Sequence, residues 1–256
     1  MNVWQALLLG AVQGLTEFLP VSSSGHMLLV RKLLGIECGM LFDVFMHVGT
    51  LLAVVVVFRR ELLALVFPPF GKLGLLVLAT LPAGAAGVLL SGGIERVFGG
   101  GEWLFAAFAA SGALVLATYF LSRRAERRGL LCRGIGTVQA AAMGAAQAVA
   151  LIPGLSRSGT VIFAGVAAGG GREAVAAFAF VMSVPVVIGS AVVGSFGGLT
   201  GGAGAAETAV GCAAAFLTGL VGAKLALRVA GRRSSLPIAA YLFALSLLSL
   251  ALELAA

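Results

Sequence analysis

The sequence predicts an all-α, polytopic membrane protein in which six transmembrane helices and two re-entrant helix-turn-helix hairpins form an inverted-topology repeat. Three observations support this. Apolar residues make up 60% of the chain and charged residues 11%, with a mean hydropathy of +1.10, whereas soluble domains have about 45–50% and about 25%. The apolar stretches run on without period-two alternation and are rich in Ala, Leu and Gly, which argues for helices over barrel strands. Third, one polar interruption occurs twice, as GAVQGLTEFLPVSSSGH at 10–26 and GAAQAVALIPGLSRSGT at 144–160. The two align without a gap at Gly10/Gly144, Ala11/Ala145, Gln13/Gln147, Ser22/Ser156, Ser24/Ser158 and Gly25/Gly159, with Pro20 and Pro153 nearby. The shift is 134 residues in a chain of 256, so the sequence reads as a single membrane domain, 1–256, with repeat halves 1–134 and 135–256.

Each half opens on a broken segment, 2–34 or 136–170, whose two apolar arms of roughly 12 to 17 residues flank the polar turn. Each arm is shorter than the about 20 residues a crossing needs. Spans follow at 40–58, 73–91 and 104–122, then at 174–198, 206–227 and 236–252. Moving the first three by 134 predicts 174–192, 207–225 and 238–256, so the repeat covers the chain. Non-helical backbone at membrane depth survives only where protein or a wet cavity satisfies it, so both turns should face the interior. Duplicated Pro/Gly-broken segments of this kind point to a binding site at the membrane midplane. An odd number of crossings per half inverts the second half, letting the turns meet from opposite faces.

The basic residues separate accordingly. Arg59, Arg60, Lys72, Arg123, Arg124, Arg127, Arg128, Arg133, Arg172, Lys224, Arg228, Arg232 and Arg233 fall on one face, and Arg31, Lys32 and Arg96 on the other. Thirteen against three places the first face in the cytoplasm and both termini outside. The net charge of +7 is thereby explained as a topology signal, not as a nucleic-acid footprint. MNVWQALLLG has no basic n-region and the apolar run behind it is broken by Gln13 and Glu17, so a cleaved signal peptide is not expected. Cys38, Cys132 and Cys212 have no metal or disulfide spacing and are expected to be packing residues.

Ionisable groups inside a membrane cost about 2.5–3.5 kcal/mol each on insertion scales and mark function. Here they are Glu17, His26, Asp43, His47 and Arg157. Both turns end in Ser-x-Ser-Gly before a fresh helix, so Ser22, Ser24, Ser156 and Ser158 can cap it while the positive dipole end faces the cavity. Two such N-termini form an anion site, and Arg157 adds a planar fork suited to phosphate. Glu17, four residues after Gln13 on one helix face, makes sense beside an anion chiefly through Mg2+ or Ca2+. His26 offers an acid, base or nucleophile, and Ser22, Ser23 or Ser24 a hydroxyl nucleophile. Together these point to phosphoryl hydrolysis over mere anion passage. Plainer readings compete: capping serines, a structural Glu17–Arg157 ion pair, a satisfied core histidine at His26, and an Asp43–His47 bond at i, i+4.

At these residues the chain resembles the undecaprenyl-diphosphate phosphatases of the bacterial cell envelope, the bacitracin-resistance type, over nearly its whole length. Gln13-Gly-Leu-Thr-Glu17, LPVSSSGH at 19–26 and PGLSRSG at 153–159 match the family's signature turns, and FDVFMHVGTLLAVVV at 42–56 and FAFVMSVP at 178–185 its flanking helices. The resemblance implies removal of the terminal phosphate from a C55 isoprenoid diphosphate, with a divalent cation, recycling the lipid carrier of peptidoglycan synthesis. It implies Glu17 as metal ligand or base, Ser23 and His26 as nucleophile or proton-transfer groups, and Arg157 on the diphosphate, with Gln13, Ser22, Ser24, Gly25, Gly154, Ser156, Ser158 and Thr160 lining the substrate site. Two departures stand out. Gln13 replaces the first carboxylate of the acidic motif, leaving Asp43 as a substitute metal ligand, and Val161 stands where the family has Thr, one position after Thr160.

The expected partners are the polyprenyl diphosphate substrate and membrane lipids, with no nucleic acid; a homodimer is left open. The expected location is the bacterial plasma membrane, with the site opening to the outer face. The rival class is a polyprenyl-phosphate flippase on the same inverted repeat. Against it stand Glu17 and His26, which an anion carrier does not need.

Overall fold

The computed structural model describes residues 1–68, 70–98, 100–129, 132, 134–196, 203–230 and 235–255. Among these are eleven helices and no strand: α1 (Val3–Thr16), α2 (Ser23–Leu34), α3 (Met40–Val57), α4 (Arg59–Val66), α5 (Gly71–Phe98), α6 (Leu104–Arg128), α7 (Thr137–Val149), α8 (Arg157–Ala167), α9 (Arg172–Phe196), α10 (Ala205–Ala230) and α11 (Leu236–Ala255). The expected all-helical membrane fold is present. Arg133, Arg232, Arg233 and the end of the expected span 174–198 lie outside the described residues.

Each broken segment is a pair of short helices around a turn, because the sequence supplies start signals twice. Asn2 opens α1 by accepting from the Gln5 N–H at 2.9 Å while Gln5 Oε1 accepts from the Asn2 N–H at 2.8 Å, a reciprocal capping box. Its counterpart 134 positions on, Gln139, accepts from the Gly136 N–H at 3.0 Å at the head of α7. Pro20 and Pro153 lie in the turns, where a helix would need their missing N–H.

Among the described residues five helices are long and apolar enough to cross a membrane: α5, α6, α9, α10 and α11. The expected first span, 40–58, coincides with α3, and a short helix that was not expected, α4, follows it. α3 meets α4 at 82° across Phe58, and the first turn of α4 carries the exposed charges Arg59, Arg60 and Glu61. Three adjacent charges are costly in hydrocarbon, so the chain turns there.

Lipid offers little hydrophobic drive between helices, so association depends on close van der Waals packing. Gly10 and Gly14 of α1 lie against α10, where a Cβ on Gly10 would meet the Gly211 carbonyl at 2.2 Å and one on Gly14 the Ala215 carbonyl at 2.4 Å. α10 packs in turn on α3, α11 on α6, and α7 on α5. Phe18 and Phe180 meet edge to face at 5.8 Å between the first turn and α9. Large apolar side chains such as Val88, Leu89 and Leu217 face outward, as a lipid solvent permits.

Candidate active site

The two turns touch. The Gly154 N–H donates to Ser24 Oγ at 3.2 Å, and Ser158 Oγ donates to the Leu19 carbonyl at 2.8 Å. Ser24 and Ser158 are repeat equivalents, so each hairpin gives one bond to the other from the same position. The caps are equivalent too: Ser22 Oγ accepts from the Gly25 N–H, and Ser156 Oγ from the Gly159 N–H, both at 3.1 Å. The Ser156 N–H is held by Ser111 Oγ of α6 at 2.9 Å. Gly154 has φ +86, and a Cβ there would meet Ala107 Cβ at 2.9 Å, so this turn needs glycine twice over.

These caps place Ser23 and Arg157 at the first position of α2 and α8. The two are also repeat equivalents, and both reach one carboxylate. Glu17, buried after α1, accepts from Ser23 Oγ at 2.6 Å and from Gln13 Nε2 at 2.8 Å on Oε2, while Oε1 is ion-paired with Arg157. His47 Nδ1 lies 3.0 Å from Gln13 Nε2 and 3.7 Å from Glu17 Oε2. A cavity of about 250 Å³ is lined by Glu17, Ser22, Ser23, Ser24, His47, Ser156, Arg157 and Ser158. Leu151, Ile152, Val186 and Val187 also line it. Beside it a second cavity of about 480 Å³ shares Ser24, His47, Leu151 and Pro153 and is lined also by Gln13, Arg31 and Asp43.

The expected residues sort into two groups. Glu17, Ser22, Ser23, Ser24, Ser156, Arg157 and Ser158 converge on the first cavity, and Gln13 on the second. His26 does not line either cavity. Its Nδ1–H donates to the Ser22 carbonyl at 2.7 Å, and its Nε2 lies 2.8 Å from the Tyr241 hydroxyl on α11. Its ring sits between Tyr241 and Phe108. Thr160 Oγ1 likewise donates to the Ser156 carbonyl at 2.8 Å. Asp43 does not bond His47; it is ion-paired with Arg31 through both carboxylate oxygens. Cys132 is exposed, correcting its expected packing role. Tyr241 and Ser111 were missed, because they lie far along the chain from the turns they touch. The available signal was the one phenol in a last span, 236–252, whose other polar side chains are Ser246 and Ser249.

A divalent cation finds one carboxylate here, with His47 beside it. Among the described residues no three His, Cys, Asp or Glu side chains come together. That donor set does not make a closed protein cage, but it fits a hard cation held by one carboxylate and by phosphate oxygens of a substrate.

Fold and site together define a polytopic helical membrane protein with an anion cradle, a hydroxyl and a carboxylate at the junction of two helical hairpins. The chain belongs to the family described as Bacitracin resistance protein BacA, which matches residues 6–248. It is 40% identical to an undecaprenyl-diphosphatase of Rubrobacter xylanophilus, over 99% of both chains. It is also 40% identical to one of Carboxydothermus hydrogenoformans, over 75% of this chain and 73% of the relative. A third, from Thermomicrobium roseum, is 35% identical over 98% of both.

Proposed function

We propose that this chain hydrolyses undecaprenyl diphosphate to undecaprenyl phosphate and inorganic phosphate, with Ser23 as nucleophile and Glu17 as its base. The observation that carries the assignment of roles is the 2.6 Å bond from Ser23 Oγ to Glu17 Oε2, made inside the cavity that Arg157 also lines. The terminal phosphoryl group lies between the N-termini of α2 and α8, whose leftover N–H groups and dipoles favour an anion. Ser23 Oγ bonds to that phosphorus, its proton passes to Glu17 Oε2, and the bond to the lipid-side bridging oxygen breaks. Protonated Glu17 no longer holds Arg157, so the guanidinium turns to the phosphoryl oxygens as charge develops on them. The proton on Glu17 passes to the departing lipid phosphate; the freed carboxylate then takes a proton from a water whose oxygen bonds to the phosphorus, and returns it to Ser23 Oγ as the phosphoserine bond breaks. A divalent cation, when bound, would be held by Glu17 and substrate oxygens and would offset the diphosphate charge.

The membrane arrangement we infer is six spans, with α3 completing the sixth, and two re-entrant hairpins in an inverted repeat. Helix pairing supports it: exchanging equivalent helices turns α1 on α10 into α7 on α5, and α3 on α10 into α9 on α5, all pairs that are packed together. Sidedness is supported by contacts between ends expected on one face. Lys32 at the end of α2 pairs with Glu253 at the end of α11 at 2.5 Å, and Arg31 pairs with Asp43 at the start of α3. On the other face Arg172 donates to Ser235 at 2.7 Å, and the Cys132 N–H donates to the Gly169 carbonyl at 2.9 Å. Trp4 and Trp103, both exposed, open helices at the first of these faces, as an aromatic belt requires. The excess of basic residues puts the second face in the cytoplasm, so the hairpin carrying Ser23 enters from outside and the site opens there.

Phosphate release from C55 isoprenoid diphosphate by the detergent-purified chain, with Mg2+ or Ca2+ against EDTA, tests the function. Release lost in Ser23→Ala, with the fold intact, is the expected result. A well-folded wild-type protein that binds the lipid and releases no phosphate would overturn it and favour the flippase.

A further inference from the structure

We infer that Tyr241 and His26 are positioning residues that hold the strained turn at Ser22 and thereby place the Ser23 hydroxyl on Glu17. This deepens the phosphatase reading and rests on it. Ser22 is the one non-glycine residue with positive φ among the described residues, at φ +69 and ψ +92. Such a backbone is costly for a residue with a Cβ and persists only where its surroundings over-determine it. What over-determines it is visible. The Ser22 carbonyl accepts twice from one residue, the backbone N–H of His26 at 3.1 Å and its Nδ1–H at 2.7 Å. A carbonyl only accepts, so the proton of the neutral ring is on Nδ1. Nε2 is then an acceptor, and the Tyr241 hydroxyl donates to it at 2.8 Å with the two rings stacked 5.7 Å apart. The Ser22 carbonyl thus sets the tautomer, and Tyr241 satisfies Nε2 and fixes the ring plane from α11, an element that neither hairpin contains.

The second half of the repeat is an internal control. There Thr160 takes the place of His26 and makes the same double bond, N–H at 2.9 Å and Oγ1 at 2.8 Å, to the Ser156 carbonyl. Ser156 has an ordinary φ of −68, and at Tyr241's equivalent position stands Ala107. The shared bond is therefore a device of the repeat for holding a cap carbonyl. The imidazole and phenol accompany only the strained cap, which precedes the nucleophile. Aimed at Ser22 and Tyr241 and away from both cavities, His26 acts through the backbone of its neighbour.

The test combines turnover with a readout that needs none. In 15N-histidine spectra, with the two histidines assigned through His47→Gln, His26 is expected in the neutral Nδ1–H form, and Tyr241→Phe is expected to shift its bare Nε2 resonance downfield, as the bond accepted from the phenol is lost, while Nδ1 stays protonated on the Ser22 carbonyl. A neutral Nε2–H ring in the wild type, or no change in Tyr241→Phe, would overturn the inference whether or not the chain is a phosphatase. For turnover, wild-type phosphate release establishes the reading on which the inference rests. Tyr241→Phe keeps the ring and should lower kcat about tenfold with KM and Tm unchanged. His26→Asn, whose amide can donate to the Ser22 carbonyl, should retain at least a tenth of wild-type kcat, whereas His26→Leu falls by at least another tenfold. Asn and Leu variants equally inactive, both folded, would make His26 a proton-transfer group and overturn the positioning role.

Discussion

Replacing Glu17 by Gln tests the proposed division of labour most sharply, because the carboxylate has two jobs that the amide separates. Oε2 accepts from Ser23 and Oε1 holds Arg157. The amide oxygen can keep one of these contacts, but it cannot take a proton. Loss of a general base removes roughly 100- to 10,000-fold in rate, about 2.7–5.4 kcal/mol of barrier at about 1.36 kcal/mol per tenfold. Binding moves the other way. In the resting site Arg157 is already paired, so a diphosphate must compete with Glu17 for the guanidinium; the neutral amide of Glu17→Gln removes that competition, and KM should stay level or fall. The fold should hold. Breaking a fully buried ion pair costs about 3–5 kcal/mol, but the Arg157 side chain is 25% exposed to the cavity and Gln retains an acceptor, so a penalty of about 1–2 kcal/mol is expected after discounting for screening. Phosphate release across a substrate series in detergent, with a thermal melt of the same sample, measures all three quantities. A kcat within threefold of wild type, or an intact kcat with a tenfold higher KM, would refute the base assignment; the latter would leave Glu17 as a binding group only.

Arg157→Lys keeps the charge and loses the planar fork, so kcat/KM should fall at least tenfold with Tm little changed; an unaltered kcat/KM would remove Arg157 from the transition state. In Gly14→Val the new side chain would strike Thr218 Oγ1, 2.1 Å from the added Cβ, and the Ala215 carbonyl. Overpacking of about 1–3 kcal/mol or more should lower Tm or prevent accumulation, and a wild-type Tm would show that α1 can shift along α10. Orientation can be read from the native thiols. Cys132 is exposed at the face assigned to the cytoplasm, so a membrane-impermeant maleimide should label it only after permeabilisation. Cys38, between α2 and α3, is pushed up to about 11 by burial, with Arg31 opposing and Asp43 adding to the shift. It should therefore label slowly near neutral pH, where little thiolate exists, and faster as pH rises toward 11. Labelling of Cys132 in intact cells would invert the topology.

Much of this was legible because a membrane chain has few polar residues to distribute. Glu17, Arg157 and the cap serines stand out against apolar sequence, and the 134-residue shift already pairs Ser24 with Ser158, the residues that join the turns. The helix-turn-helix segments were legible for a similar reason: arms too short to cross, broken by proline and serine. Side-chain direction was not. The i, i+4 spacing of Asp43 and His47 allowed a mutual bond, yet Arg31, on another helix, took the carboxylate. His26 follows the nucleophile motif so closely that sequence places it in the site, and only the approach of α11 reveals that its ring is committed to Tyr241. The span's end at Phe58 was legible in the charges that follow it, but α4 and its 82° angle to α3 were not, because eight residues are too few for periodicity to declare a helix.

On the inverted arrangement proposed above, the repeat also explains how a scaffold suited to transport can hold an enzyme. A symmetric pair of hairpins would present the same residue twice to a central anion, which is what a carrier needs. Here the first helical position is Ser23 in one half and Arg157 in the other, and Glu17 has Leu151 as its equivalent. Both unlike groups converge on one carboxylate, so the asymmetry is concentrated where they meet while the caps and the cross-hairpin bonds stay paired. The shared bonds bring two helix N-termini together; the differences between the halves supply the groups that the proposed mechanism uses as nucleophile, base and charge clamp. A flippase would gain nothing from Ser23 hydrogen-bonded to Glu17, since transport needs the anion released unchanged, whereas hydrolysis needs that contact at the place where the phosphoryl group is held.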